Sequence, residues 1–233
     1  PAAPTAKNTP TGREIGLDAF IADLRAHYGS GYLFQKRVSP HAAVRAMCGD
    51  RLATVRLMTI WSQGEPKLLR ACFKIPAGSN TADNFWRPGN LLARLDLDTG
   101  RIGRVVRGTG IGLEELTHHP DTGAPLVGTE VPNWAALTEA ALEGARLLKH
   151  VALIGWDIAP VDAGAVIVEL NQTPDFLLPQ LADRRGMLDI DFARFLAERK
   201  QDAAASKREV RQKLRRGSLD GFHLGLGDKA PPA

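Results

Sequence analysis

Asp157 and the run Glu169-Leu170-Asn171 are the residues whose types and spacing speak most directly of chemistry. Asp157 lies in one apolar stretch and Glu169-Leu170-Asn171 closes the next, with Pro160-Val161-Asp162-Ala163-Gly164 as the turn between them. So short a connection makes the two stretches antiparallel neighbours. The two-residue period of a strand then turns Glu169 and Asn171 to one face, and an antiparallel partner sets Asp157 beside them. Two carboxylates that close in an apolar sheet repel unless a cation sits between them. An all-oxygen set of this kind suits Mg²⁺ holding phosphate oxygens. Taken alone, the pattern is also what a turn-capping aspartate and a solvent-facing glutamate produce.

Cations stand on two neighbouring apolar stretches. Arg56 lies within Ala53-Ile60, and Arg70 and Lys74, four residues apart and therefore on one face, lie within Lys67-Ile75. Burying such groups is costly without an anion, so a triphosphate is a fitting partner. The alternative is the solvated outer face of a sheet.

The elements that must position these groups follow from periodicity. Strands are predicted over Tyr32-Val38, Ala53-Ile60, Lys67-Ile75, Leu91-Leu97, Arg101-Val106, Ala152-Ile158 and Gly164-Leu170. The short turns at Gln63-Gly64-Glu65 and Asp98-Thr99-Gly100 make the middle of the chain a meander. Helical spacing marks Leu17 to Tyr28 and Trp134 to Leu148, and Asp189 and Asp191 open a further helix from Phe192 to Lys200. The fold class is α+β, with a mixed, largely antiparallel sheet flanked by helices. Residues 1–16 read as an irregular lead-in, 17–200 as the folded domain and 201–233 as a basic tail, helical at first and then disordered.

At 233 residues with 44% hydrophobic content, the chain buries a core without staples. Cys48 and Cys72 lack CxxC or Cys/His triad spacing and read as small core residues. Together with the lack of a signal-like run they favour a cytoplasmic protein. The net charge of +4 is local. Between Glu198 and Arg216 eight basic residues face three acidic ones, a segment of +5 that leaves −1 for the rest. The globular part therefore gives no electrostatic reason to expect nucleic acid. Gly108-Thr109-Gly110-Ile111-Gly112 lacks the strand-to-helix setting and the following Lys-Ser/Thr of a phosphate loop. His118 and His119 are adjacent and read as loop residues, and the four tryptophans as packing residues.

Six segments in order resemble the ATP-grasp superfamily, most closely its sugar-transfer-associated branch. They are Tyr32-Leu33-Phe34-Gln35-Lys36-Arg37-Val38, Thr54-Val55-Arg56-Leu57-Met58-Thr59, Asp83-Asn84, His119-Pro120-Asp121-Thr122-Gly123, Gly155-Trp156-Asp157-Ile158-Ala159 and Glu169-Leu170-Asn171. The resemblance implies an ATP-grasp fold, mainly its C-terminal lobe, and ATP and Mg²⁺ as ligands. It assigns Gln35, Lys36 and Val38 to a hinge strand bordering the adenine and Arg56 to the phosphates, where Arg70 and Lys74 join it by their spacing alone. Asn84 goes to the acceptor pocket or a surface turn, and Asp157, Glu169 and Asn171 to the metal. The implied reaction activates a carboxylate as an acyl-phosphate for attack by an amine or similar nucleophile, in a setting of cell-surface sugar or peptide modification.

The sequence departs from the family pattern in three ways. Gly155 stands where arginine is common, the hinge opens on Gln35 instead of an acidic residue, and Lys7 is the one lysine ahead of the hinge, where a lysine strand and glycine-rich loop belong. The chain reads as a piece of a longer ligase or as a reduced relative. Beside the ligase stand two other readings: a non-catalytic nucleotide-binding or scaffold protein, and a nucleic-acid or membrane adaptor acting through the basic tail.

Overall fold

The structure, a computed structural model, describes residues 4–7, 12–29 and 31–215, with side chains to 212. The stretch beyond 215, including the expected disordered end, lies outside the described residues.

Two short strands stand where irregular chain was expected: β1 (Thr5–Lys7) and β2 (Glu14–Gly16) pair antiparallel. Helix α1 (Leu17–His27) follows β2 directly and packs on that pair, with Leu24 its one buried residue. Residues 31–40 form no strand, which corrects the expectation for Tyr32-Val38. β-branched and aromatic residues make a strand only where a neighbour supplies the ladder, and this segment joins neither edge of the sheet. Its aromatics turn to one another instead, Tyr32 packing on Tyr28 and Phe34 while Leu33 and Phe34 stay exposed. The chain is then tied to the sheet by its backbone. The His41 N–H donates to the Pro160 carbonyl at 2.9 Å and the Ala42 N–H to Asp162 Oδ1 at 2.8 Å. Helix α2 (Ala42–Cys48), absent from the sequence reading, starts there, capped by His41 Nδ1 accepting from the Ala43 N–H.

One seven-stranded sheet dominates the rest. Its strands are β3 (Thr54–Ser62), β4 (Glu65–Ile75), β5 (Leu91–Leu95), β6 (Ile102–Arg107), β7 (Glu114–Leu116), β8 (Leu153–Val161) and β9 (Gly164–Asn171). They lie in the order β7-β6-β5-β4-β3-β8-β9 with every pairing antiparallel. Strands β3 to β7 form the expected meander. Helix α3 (Trp134–Leu147) then carries the chain back so that β8 lies beside β3.

Alternation along the strands gives the sheet two different faces. Val55, Leu57, Phe73, Ile75, Trp156 and Ile158 face α3 and α2, where they meet Leu137, Ala141, Ala145, Val44 and Met47 in the main core. The opposite face is covered by α4 (Leu177–Asp183) and α5 (Ile190–Arg215). There Met58 and Ile60 pack on Phe192 and Phe195, and Cys72, Leu92 and Val106 pack on Leu178 and Ala182. Helix α5 begins at Ile190 and continues well past Lys200, with every side chain from 201 to 212 exposed. No helix among the described residues is long and apolar enough to cross a membrane.

Trp156 locks α3 to the sheet. Its indole N–H donates to Thr59 Oγ1 at 2.9 Å, and its ring lies against Gly144, where an added Cβ falls 2.6 Å from Cη2. In an exposed helix a residue larger than glycine stabilises by up to about 1 kcal/mol. Here the overpacking wins, at roughly 1–3 kcal/mol. Gly144→Val is therefore expected to lower the melting temperature in scanning calorimetry, and a Tm at or above the parent's counts against a fixed Trp156 ring.

Candidate functional site

The face under α4 and α5 carries a row of directly opposed polar residues. Arg56 on β3 pairs across with Asp157 on β8, and Asp157 pairs with Glu169 on β9. That last pairing depends on a bulge: Ile158 pairs with Ile167 but Asp157 with Glu169, so Val168 is the extra residue. The insertion turns Glu169 and Asn171 to the face of Asp157. Residues Glu169 and Asn171 would otherwise face α3.

Asp157 is the centre of a buried ion triad. Arg56 binds it in a two-pronged pair, Nε to Oδ1 at 2.5 Å and Nη2 to Oδ2 at 2.9 Å. Lys74 Nζ adds a bond to Oδ2 at 2.9 Å. All three residues are at most 8% exposed. Burial alone would push the Asp157 carboxyl up, but the hydrogen bonds and charges of Arg56 and Lys74 outweigh it and hold the group below its ordinary value of 3.8. Asp83 lies on the other side of Lys74, 3.7 Å away, and accepts from the Thr54 N–H at 2.9 Å and from the Thr54 hydroxyl. For Asp83 burial is the larger influence and the carboxyl is raised.

The triad forms the floor of a cleft of about 370 Å³ whose walls are two loops. One wall, residues 76–90, supplies Asp83, Asn84, Phe85 and Trp86. The other, 172–176, supplies Thr173 and Asp175. Asn90 holds the first loop in shape, its side chain bonding the Ala77 N–H and the carbonyls of Ala82 and Asn84. His119 and Asp121 fasten the loop's base through the Pro76 carbonyl and the Gly78 N–H. Across the mouth the Trp86 indole N–H donates to Asp175 Oδ2 at 3.1 Å, joining the two walls. The second loop descends onto the sheet at Gly155, where an added Cβ falls 2.6 Å from Pro174 Cβ and 3.3 Å from Arg56 Cδ.

Among the described residues no three of His, Cys, Asp and Glu are grouped so as to hold a metal ion. Two cations, Arg56 and Lys74, face four carboxylates in the cleft, Asp83, Asp157, Glu169 and Asp175, which leaves −2. A triphosphate meets repulsion from that excess unless metal ions come with it. Glu169 is exposed to the cleft, and the Asn171 Nδ2 is buried without a hydrogen-bond partner. An amide rotated by half a turn offers its oxygen there instead.

The residues singled out in the sequence divide into three groups. Arg56, Lys74, Asn84, Asp157, Glu169 and Asn171 all line the cleft. Asn84 also shapes its own turn, Oδ1 accepting from the Trp86 N–H at 3.1 Å. Arg70 does not reach the cleft. Its guanidinium is engaged by Asp183 at 3.2 Å and by Asp189, the residue that caps α5 at the Phe192 N–H. Four-residue spacing puts Arg70 and Lys74 on one face, yet about 13 Å of extended chain separates them. Gln35, Lys36 and Val38 stand in the irregular 31–40 segment and do not line the cleft, a correction to their placement on a hinge strand. The sequence reading passed over Asp83, Trp86, Thr173 and Asp175 as site residues. Asp83 was visible beside Asn84, whereas nothing local marks the other three.

Residues 22–192 match the family described as sugar-transfer associated ATP-grasp. No curated protein and no solved structure gives a significant match.

Replacing Asp157 by Asn leaves Arg56 and Lys74 buried without their counter-ion, at a cost of about 3–5 kcal/mol at neutral pH. A carboxyl held below its ordinary value stabilises the fold above 3.8 and loses that contribution as pH falls through its lowered value. The stability gap between parent and Asp157→Asn, measured by urea denaturation, is therefore expected to narrow from pH 7 to pH 3. A gap independent of pH contradicts the triad's charge state. Gly155→Ala is expected to lower Tm by displacing Pro174 and crowding Arg56, and a parent-like Tm would show that the second loop is not seated as described.

Proposed function

The chain belongs to the sugar-transfer associated ATP-grasp family, and from that premise we propose that it is a Mg²⁺- and ATP-dependent ligase that activates a carboxylate. Family membership carries ATP binding of the ligase type and the ATP-grasp fold with it. The observation that supports catalysis is the cleft itself: two buried cations, a net negative charge and an unsatisfied amide converge on one floor.

In the proposed reaction a carboxylate oxygen attacks the γ-phosphorus of ATP and ADP leaves, giving an acyl-phosphate. An amine or similar nucleophile then attacks the acyl carbon, phosphate leaves with the bonding pair, and the nucleophile's proton passes to solvent. No side chain needs to become covalently bound. Glu169, Asn171 and Asp157 would hold Mg²⁺, which supplies charge neutralisation to the phosphates when bound. Arg56 and Lys74 are preorganised donors for the transferring group, held in a site of low dielectric where such donors act most strongly. Asn84 and Trp86 form the wall along which the acid would lie. The reaction belongs in the cytoplasm, where ATP is at hand and the free thiols Cys48 and Cys72 stay reduced.

One observation favours a second reading, binding without turnover. Gln35, Lys36 and Val38, proposed for the adenine, stand apart from the cleft. Isothermal titration of ATP with and without Mg²⁺, followed by phosphate release with candidate acids and amines, separates the two. The ligase reading expects magnesium-dependent heat that Glu169→Ala reduces at least tenfold in affinity. Parent protein with no such heat contradicts nucleotide binding, and heat without phosphate release from any acid favours the binding protein.

A further inference from the structure

We infer that the far end of α5 is an electrostatic docking strip for an anionic phospholipid surface, with Lys200, Lys207, Arg208 and Arg211 as its contacts to lipid phosphates. The strip lies outside the cleft, and its role does not depend on what the cleft binds.

Helix α5 is seated on the sheet by Phe192 and Phe195 and by the Ser62 hydroxyl donating to Glu198 at 2.7 Å. Beyond these contacts it runs on to Arg215, with every side chain from 200 to 212 exposed. Helices in proteins draw most of their stability from a packed apolar face, and the described part of this stretch has none. Its charges are segregated instead. At about 100° per residue, the four cations fall within one arc of about 100° and span about 17 Å of the axis. Asp202 and Glu209, the carboxylates of the same stretch, project nearly opposite, where Asp202 is paired with Arg199 at 2.8 Å. Phe192 and Phe195 project about 130° from the middle of the arc, so the domain does not stand between the cations and an approaching surface. Among the described residues none of the four has a carboxylate or carbonyl partner.

Charge complementarity decides the occupant. The end of the chain does not supply it, since in residues 216–233 Arg216 and Lys229 balance Asp220 and Asp228. An anionic bilayer attracts each Lys or Arg near its surface by a factor of about five. Four of them gather the protein at the surface reversibly, and with no broad apolar face the helix rests on the headgroups without entering the acyl chains. A strip of cations on one side meets a plane along its whole length. A helix lying in a nucleic-acid groove meets phosphates on both flanks. Both flanks of this strip are uncharged, with Ala203 and Val210 on one side and Gln201 and Gln212 on the other. Residues 196–212 also contain no aromatic side chain on which bases could stack.

The test is co-sedimentation of the full chain with vesicles of phosphatidylcholine, either alone or with about 30% phosphatidylglycerol. Retention is expected on the anionic vesicles at about 0.1 M salt and not on the neutral ones, with loss at about 1 M salt, where charges are screened within about 3 Å. Lys207→Gln with Arg211→Gln is expected to weaken binding about 25-fold, a factor of about five for each cation. Arg25→Gln with Lys149→Gln removes the same charge from exposed positions elsewhere and is expected to bind as the parent does. All four replacements put a good helix former at an exposed position, so helix content by circular dichroism is expected to match the parent. Parent protein that stays in solution beside the anionic vesicles, or two variants weakened alike, overturns the strip. Duplex RNA is the competing occupant, followed by fluorescence anisotropy. Parent binding to it that is tighter than to the anionic vesicles, and lost in the Lys207 and Arg211 variant, assigns the cations to nucleic acid and overturns lipid docking.

Discussion

Three ionised groups sharing one dry patch of sheet set the terms for the rest of this structure. Arg56, Lys74 and Asp157 are each buried, and removing such charges from water costs several kcal/mol per ion unless geometry repays it. Repayment requires β3, β4 and β8 to lie side by side, with Arg56 opposite Asp157 and Lys74 two pairs further along, opposite Thr54. A simple continuation of the meander would add β8 outside β7 and leave Arg56 and Asp157 without each other, with Lys74 keeping only Asp83. The return through α3 places β8 against β3 and satisfies them. Hydrophobic packing under α3 holds the sheet, while this polar requirement selects its strand order.

The same division runs through the cover of the sheet. On the α3 side contacts are apolar and continuous. On the other side, separate polar bonds fix separate pieces. Thr54 and Lys74 hold the 76–90 loop through Asp83, Arg70 holds the junction of α4 and α5 through Asp183 and Asp189, and Ser62 reaches α5 at Glu198. These bonds add to the apolar cluster in which Phe85, Leu178 and Ala182 pack on Cys72, Leu92 and Val106, so the cleft's walls are held to the sheet by both means.

How much of this was legible depended on whether the signal was local. The apolar stretches from Ala53 onward, rich in Leu, Val and Ile and bounded by short turns, foretold six of the seven strands of the large sheet, because strands covered on both faces read as short continuous apolar runs. The short turn at 160–164 foretold the β8-β9 hairpin, but its register alone sets Asp157 opposite Val168, and the bulge that brings Glu169 across from it has no local mark. Tyr32-Val38 misled because its composition favours a strand but no ladder is offered to it. Helix α2 was missed because seven residues are too few for periodicity to declare itself, and α4 for the same reason. Arg70 was grouped with Lys74 on spacing alone, which reports the face of a strand but not the partner above it. Trp86 and Asp175 lie 89 positions apart and meet only through tertiary structure.

The bulge at Val168 divides β9 into two frames. Toward the turn, Ala165 and Ile167 follow the parity of Pro160 and Ile158. Past Val168, Glu169 and Asn171 follow that of Asp157 and Gly155. A comparable shift separates Met58 from Thr59 against β4, and another separates Ala93 from Leu95 against β6. Each slip separates the hairpin turn of its own strand pair from the part of that pair nearer the charged row. The β3-β4 and β8-β9 turns lie at opposite ends of the sheet, so the row between them is set apart from changes in turn length on both sides.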